Sequence, residues 1–357
     1  MTSAPWTPRS ADAEHDEIGG QLAVRSYGDT GTEYASLREG AMLVDRSHRQ
    51  RLTFTGARAA DVLTGMVTND VLALTEGQGC YAAALTPKGR IVADLRVLAL
   101  APERLLVEAS ARAAPGWFEM VRKYVNPRLA GYADISGETR QIGLYGAHAA
   151  RIATAITGID PDVLASLLPY AHVPLPGGDA WPSLVMRVPD LRLDGFEIVG
   201  TEPALLQLWT EALDGGATAT GLDAYEIARI EAGRPEWGID VDDTTIPQEA
   251  NLDELHAISY TKGCYTGQEV VARVHFRGHV NRHLRGLRSE QPLPADAELL
   301  DATGKVVGDV RSTVRSPRLG YIALGMVRRE VEMGSTVVVR APDASAPATV
   351  LALPFPS

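Results

Sequence analysis

The chain has 357 residues, of which 45% are hydrophobic and 22% charged, and a net charge of -11. The length suggests two or three structural units and the composition is that of an ordinary globular protein. No run of eighteen apolar residues occurs, so no transmembrane helix is expected. The acidic balance argues against a general nucleic-acid-coating protein, and two cysteines so far apart make no disulfide framework. A reducing cytoplasm with free thiols is the expected setting.

Met1 to Glu17 is polar and acidic, with Pro5 and Pro8 and no apolar h-region, so it reads as a loose tail rather than a signal peptide. The whole of 1–40 is taken as tail and lead-in. Leu52-Thr-Phe-Thr-Gly56 then alternates like a half-buried strand, and Gly56 ends it. Ala57 to Met66 predicts a helix, broken by Thr68-Asn69-Asp70. Cys80 to Leu85, a turn at Thr86-Pro-Lys-Gly89, and Arg90 to Leu100 form a hairpin signal. Arg104 to Ala109 predicts a further strand, and Pro115 to Tyr124 a helix opened by proline. These make a first α+β unit over 41–140.

The pattern repeats at an offset of ninety residues. Ile142-Gly-Leu-Tyr-Gly146-Ala147-His148-Ala149-Ala150 echoes Leu52-Thr-Phe-Thr-Gly56-Ala57-Arg58-Ala59-Ala60. Strands over Leu184 to Val188 and Gly195 to Val199, then a helix over Pro203 to Leu213, complete a second unit at 141–220. Both halves read strand, helix, strand, strand, helix. That is the order of tandem ferredoxin-like split βαβ units, an α+β class rather than a doubly wound parallel sheet. A helix over Gly221 to Ala232 opens the segment 221–283. Short apolar runs separated by Gly, Pro, Ser and Asp over 284–357 predict a small all-β, barrel-like domain.

Chemistry concentrates at Lys262-Gly263-Cys264-Tyr265-Thr266-Gly267-Gln268-Glu269. Thr266-x-x-Glu269 ahead of Val270-Val271-Ala272 is a capping-box pattern and predicts a helix just after the motif. Cys264 would then lie near a helix N-terminus, with Lys262 adding a cation, both favouring a thiolate. From Lys262 to Arg288 there are six Lys or Arg against the one acid Glu269, a local balance of +5 in an acidic chain. His275, His279 and His283 lie in the same stretch. A local positive field suggests an anionic ligand; the bland alternative is a solvated basic face. No Cys-x-x-Cys pair supports a zinc site, and no nucleotide or hydrolase fingerprint is present, so no metal is expected. Asp94 lies inside an apolar strand, facing either a ligand or solvent. Glu197 opens another strand, where a carboxylate can accept from a guanidine-like edge such as a pterin; the alternative is a surface hairpin acid. Arg229 with Glu226 fits a simple i,i+3 pair.

Lys262-Gly-Cys-Tyr-Thr-Gly-Gln-Glu269 followed by Val-Val-Ala-Arg273 resembles the signature of the YgfZ family of folate-binding proteins, relatives of the aminomethyltransferase (T protein) of the glycine cleavage system. Weaker likenesses extend from about Ala41 to Val327. They include Gly56-Ala57 with Val67-Thr68-Asn69-Asp70, Tyr81, the Gly89-to-Asp94 hairpin, Asp194-Gly195-Phe196-Glu197, and Arg229 to Gly233. The resemblance implies a ring of structural units around a central cavity and tetrahydrofolate, or a one-carbon derivative of it, as the cofactor. It implies an accessory role in iron–sulfur cluster assembly or repair, with cluster-assembly or client proteins as partners and a link to tRNA thiolation. The alternative it carries is a folate-dependent aminomethyltransferase-type one-carbon transferase. The site residues it nominates are Cys264, Lys262 and Asp94 for chemistry, and Glu197, Tyr81, Arg229, Tyr265, Gln268 and Arg273 for the cofactor. Two departures count against aminomethyl transfer: the paired aspartates of the hairpin strand are Ala93-Asp94 here, and an Asn-Ala-x-Asn strand is replaced by Glu108-Ala109-Ser110.

Overall fold

The computed structural model describes residues 13–176 and 182–356, so the Pro5 and Pro8 tail lies outside the described residues. The lead-in is more ordered than its composition suggests. It carries a hairpin of Glu14–Ile18 with Gln21–Ser26 and a helix over Thr30–Glu39. Asp29 caps that helix, its side chain accepting from the Thr32 amide. Glu33 is buried at its start and binds the Tyr27 and Gly221 amides, which pins the lead-in to the later chain.

The ninety-residue repeat is a physical one. Strand Gln50–Thr55 turns at Gly56 into helix Ala59–Met66, and strand Arg140–Tyr145 turns at Gly146 into helix Ala149–Thr157. Both glycines hold φ beyond +110°, a conformation only glycine adopts readily. A Cβ on Gly146 would also meet the Leu37 carbonyl oxygen at 2.3 Å.

Each repeat builds a sheet with more strands than a four-stranded split βαβ unit. The first has the order Gly79–Leu85, Ile91–Ala101, Arg104–Ala109, Gln50–Thr55, Gly131–Asp134, all antiparallel. The second has the order His172–Pro174, Leu184–Arg187, Gly195–Gly200, Arg140–Tyr145, Met42–Asp45, Thr218–Thr220, with the last pair parallel. The two sheets exchange their lead-in strands. Met42–Asp45 precedes the first repeat but pairs with Arg140–Tyr145, while Gly131–Asp134 precedes the second repeat but pairs with Gln50–Thr55.

Strand alternation then sorts the side chains into layers. On the outer face of the first sheet, Phe54 and Leu63 lie fully buried against Trp117 of helix Ala114–Tyr124. Burying a side chain of that kind contributes about 1.5–3 kcal/mol. Helices Ala149–Thr157, Pro161–Ser166 and Glu202–Asp214 cover the second sheet in the same way. The inner faces meet in a shared central core containing Tyr81, Tyr145, Tyr170 and Tyr225. Helix Leu222–Glu231 lies against this core.

The C-terminal segment closes into a six-stranded barrel of Arg282–Ser289, Gly320–Arg328, Val306–Ser316, Glu298–Leu300, Thr336–Ala341 and Ala344–Leu351. It docks on helix Leu222–Glu231, where Arg229 donates to Ser312 Oγ at 2.7 Å and Glu231 pairs with Arg318 at 3.2 Å. Among the described residues no helix is long and apolar enough to cross a membrane.

Candidate functional site

The hairpin of the first sheet aims its inner-facing residues into the space between the sheets. Along Ile91–Ala101, Ala93, Leu95 and Val97 point to the helices, while Asp94 and Arg96 point inward. Across from them Tyr81 faces inward too, and its hydroxyl donates to Asp94 Oδ2 at 3.0 Å. The other carboxylate oxygen, Asp94 Oδ1, is buried without a hydrogen-bond partner. Tyr81 stacks with Tyr170 at a ring separation of 6.0 Å, and the Arg234 guanidinium lies 3.9 Å over the Tyr81 ring.

Tyr81, Tyr170 and Arg234 form one wall of a cavity of about 470 Å³, lined also by Cys80, Asp190, Arg192 and His256, with Asp94 behind Tyr81. That is the size range of small-molecule sites, and its mixture of ring faces with a few charges is typical of one. Cys80 is not a nucleophile here: burial pushes its thiol up to about 12.

Behind Asp190 lies a fully buried ion-pair network. Arg96 bridges Asp190 at 2.5 Å, Glu197 at 2.8 Å and Glu108 at 3.2 Å. Glu197 also accepts from Tyr145 and from the Gln141 amide, and Arg46 stands 3.9 Å away. Arg49 stands 3.8 Å from Glu108. On the cavity side, Asp190 accepts from Tyr170 at 3.0 Å and pairs with Arg234 at 3.3 Å. Burial alone would raise the Glu197 and Asp190 carboxyls. The surrounding arginines outweigh it, Arg96 first for Glu197 and Arg234 with Arg96 for Asp190, and hold both below the ordinary range.

The network corrects one expectation directly. Glu197, expected on a pterin edge, has no exposure and is saturated by internal partners, so it offers nothing to a ligand. It also changes the meaning of the two sequence departures. An acid at position 93 would point into the helix-covered core, so Ala93 removes no carboxylate from the center. Glu108 is the buried partner of Arg96 and Arg49.

The thiol motif lies elsewhere. Cys264 is exposed and lines none of the cavity, contrary to its expected place beside the cofactor. Lys262 turns away from it. The ammonium is buried under helix Ala59–Met66 and donates to the Thr64, Val67 and Asn69 carbonyls, the last two at 2.6 and 2.9 Å. It therefore caps a helix C-terminus, and burial draws it down to about 8. The predicted helix exists over Gln268–Arg277, but its N-cap is Gly267 at φ +82°, with no side-chain cap from Thr266. Tyr265 is buried in the central core under the Lys262 ammonium, Gln268 opens the helix, and Arg273 is exposed. None of the three lines the cavity. Arg229 does not either: it is buried and tied to Glu226, Asp240 and Ser312. His275 stacks on Tyr260 at 3.6 Å.

Of the nominated residues, then, the cavity gathers Tyr81 directly and Asp94 through it. Sequence reasoning missed Asp190, Tyr170 and Arg234 on the walls and Arg96 behind them. The signal available was Arg96 itself, an arginine inside an apolar strand, which needs a buried carboxylate partner.

Comparison with known proteins agrees with this architecture. The GCVT N-terminal domain matches residues 9–259, and the glycine cleavage T-protein C-terminal barrel domain matches residues 282–356. An aminomethyltransferase of Nostoc sp. is 29% identical over 352 residues, covering 94% of this chain and 90% of that protein. One from Bordetella pertussis is 28% identical, covering 95% and 91%. The crystal structure of glycine cleavage system aminomethyltransferase T from Bartonella henselae superposes with a TM-score of 0.86 at 26% identity, covering 97% of this chain and 95% of that one. Two sheets in the order seen here, a closed C-terminal barrel and matches over nearly the whole length lead to one assignment: the chain belongs to the glycine cleavage T-protein (GcvT) family.

Proposed function

We propose that this protein is a tetrahydrofolate-dependent one-carbon transferase of the aminomethyltransferase type, acting at the tyrosine-walled cavity. The observation that carries the reading is Asp94: half-buried, held by Tyr81 through one oxygen, with the other free, directly behind the cavity wall. The family works with tetrahydrofolate, and the cavity fits it. Tyr81 and Tyr170 give the cavity an aromatic wall, and Arg192 offers an exposed cation for a glutamyl tail. When bound, tetrahydrofolate would supply the nitrogens that accept the one-carbon unit. The chain's own part is to hold charge and exclude water. Asp94 would act from behind the wall as a half-buried negative charge that steadies a cationic nitrogen, Tyr81 fixes the carboxylate's orientation, and Pro169 with Leu255 closes the wall.

The test is formation of methylene-tetrahydrofolate from an aminomethyl-lipoyl carrier. Asp94→Asn should lower kcat by about 10²-fold or more with little change in KM. No turnover by the wild type at saturating carrier, or full activity in the variant, would overturn the assignment.

One observation favours a second reading, the folate-binding accessory role of the YgfZ branch. Cys264 is exposed at the head of a helix whose outer residues include Arg273, Phe276 and Arg277, while its motif neighbours Lys262 and Tyr265 are buried. An exposed thiol on a basic surface suits contact with a cluster-bearing partner in iron–sulfur assembly or repair, with tRNA thiolation downstream of it. Cells lacking the protein should lose activity of some iron–sulfur enzymes, and Cys264→Ala should fail to restore it. Full restoration by that variant would remove the thiol role.

A further inference from the structure

A second, smaller cavity of about 130 Å³ lies on the far side of the ion-pair network, lined by Arg46, His48, Arg49, Arg112 and Glu236 among others. Its two inner arginines are unusual. Arg46 and Arg49 are each only 5% exposed, yet the Nε of each is buried without a hydrogen-bond partner, and the Arg46 guanidinium lies 4.2 Å over the Tyr225 ring instead. Their nearest carboxylate oxygens, on Glu197 and Glu108, stand 3.9 and 3.8 Å away, beyond hydrogen-bond reach, and both carboxylates are bound more closely by Arg96. His48 Nδ1 is likewise buried without a partner. A buried guanidinium short of hydrogen-bond acceptors is costly.

We infer that this cavity is a binding site for a small carboxylate, held between Arg46 and Arg49. The size admits the space of about four waters, enough for a carboxylate and a short substituent. Guanidinium edges match a planar carboxylate in paired hydrogen bonds. The walls carry acids as well: Asp16, Glu236, Asp223 paired with Arg25, and Glu226 paired with Arg229. They oppose a dianion more than a monoanion, which favours carboxylate over phosphate. The outer cavity and this one meet through Arg96, which touches Asp190 on one side and both glutamates on the other. The inference stands independently of the one-carbon reading.

Calorimetric titration of the full-length wild-type protein in low-chloride buffer with acetate, glycine and inorganic phosphate tests it. Acetate or glycine should bind saturably at one site per chain, phosphate at least tenfold more weakly. Arg49→Met should weaken carboxylate binding about tenfold or more. Tighter binding of phosphate, no saturable carboxylate binding by the wild type, or unchanged binding in both Arg49→Met and Arg46→Leu would overturn it. Should those variants fail to fold, a wild-type crystal soaked in trifluoroacetate decides. Trifluoroacetate density at Arg46 and Arg49 supports the site, and its absence there refutes it.

Discussion

Replacing Arg96 with leucine would leave Glu197, Glu108 and Asp190 buried without the guanidinium that bridges them. Breaking a buried pair in this way costs about 3–5 kcal/mol. Urea unfolding of Arg96→Leu should show a loss of that size; a loss under about 1 kcal/mol would mean that the network is solvated. The two cysteines give a second residue-scale prediction. Cys264 is exposed, while Cys80 sits in the cavity wall as a thiol held up to about 12. At pH 8 a thiol reagent should label one cysteine quickly and the other slowly, and Cys264→Ser should abolish the fast phase. Two equally fast phases would contradict this placement. Tyr81 and Asp94 were legible in the sequence as polar groups on a hairpin. Glu197 was misread because an isolated carboxylate on a strand looks the same whether it meets a ligand or a buried arginine.

Among the elements, the thiol motif shows how packing overrides local chemistry. Thr266 and Glu269 have the spacing of a capping box, but the Thr266 amide binds the Gly65 carbonyl and the chain turns at Gly267 instead. Gly267 is pressed against the hairpin turn, where a Cβ would lie 2.6 Å from the Thr86 oxygen, and its φ is +82°. Gly263 has open space around it and no such φ. Gly267→Ala should therefore cost more than about 1 kcal/mol, while Gly263→Ala should fall within about 0.5 kcal/mol of the wild type. Thermal or urea unfolding of the pair checks the contrast, and equal effects would contradict it. The helix itself was legible from Val270-Val271-Ala272, whereas its starting residue was not, because the partner that fixes it is some two hundred residues upstream.

Across the whole molecule, the exchange of Met42–Asp45 and Gly131–Asp134 ties the two sheets into one cooperative body. His172 sits at their junction, its amide donating to the Gly77 carbonyl and its ring 5% exposed. Burial lowers its pKa to about 4. The unfolded chain takes up this proton below about pH 6.5 and the folded chain does not until about pH 4, so stability falls as pH drops through that window. At about 1.4 kcal/mol per pH unit the loss is about 2 kcal/mol by pH 5 and about 3.5 kcal/mol by pH 4. Denaturant unfolding at pH 7.5, 6 and 5 should show it, and His172→Gln should flatten the slope relative to the wild type. A parallel slope in the two proteins would exclude His172 as its source.

Local patterning along the chain carries the strand–glycine–helix repeat at Gly56 and Gly146, the hairpin bearing Tyr81 and Asp94, the C-terminal barrel and the T-protein kinship. Which charges meet is set by the three-dimensional packing alone. Arg96 belongs to one sheet, and Asp190 and Glu197 to the other repeat, and the strength of their pairing depends on distance and burial that no spacing along the chain encodes. That meeting closes the center against a ligand on Glu197, leaves a tyrosine-walled cavity on one side, and leaves two buried arginine Nε groups without hydrogen-bond partners on the other.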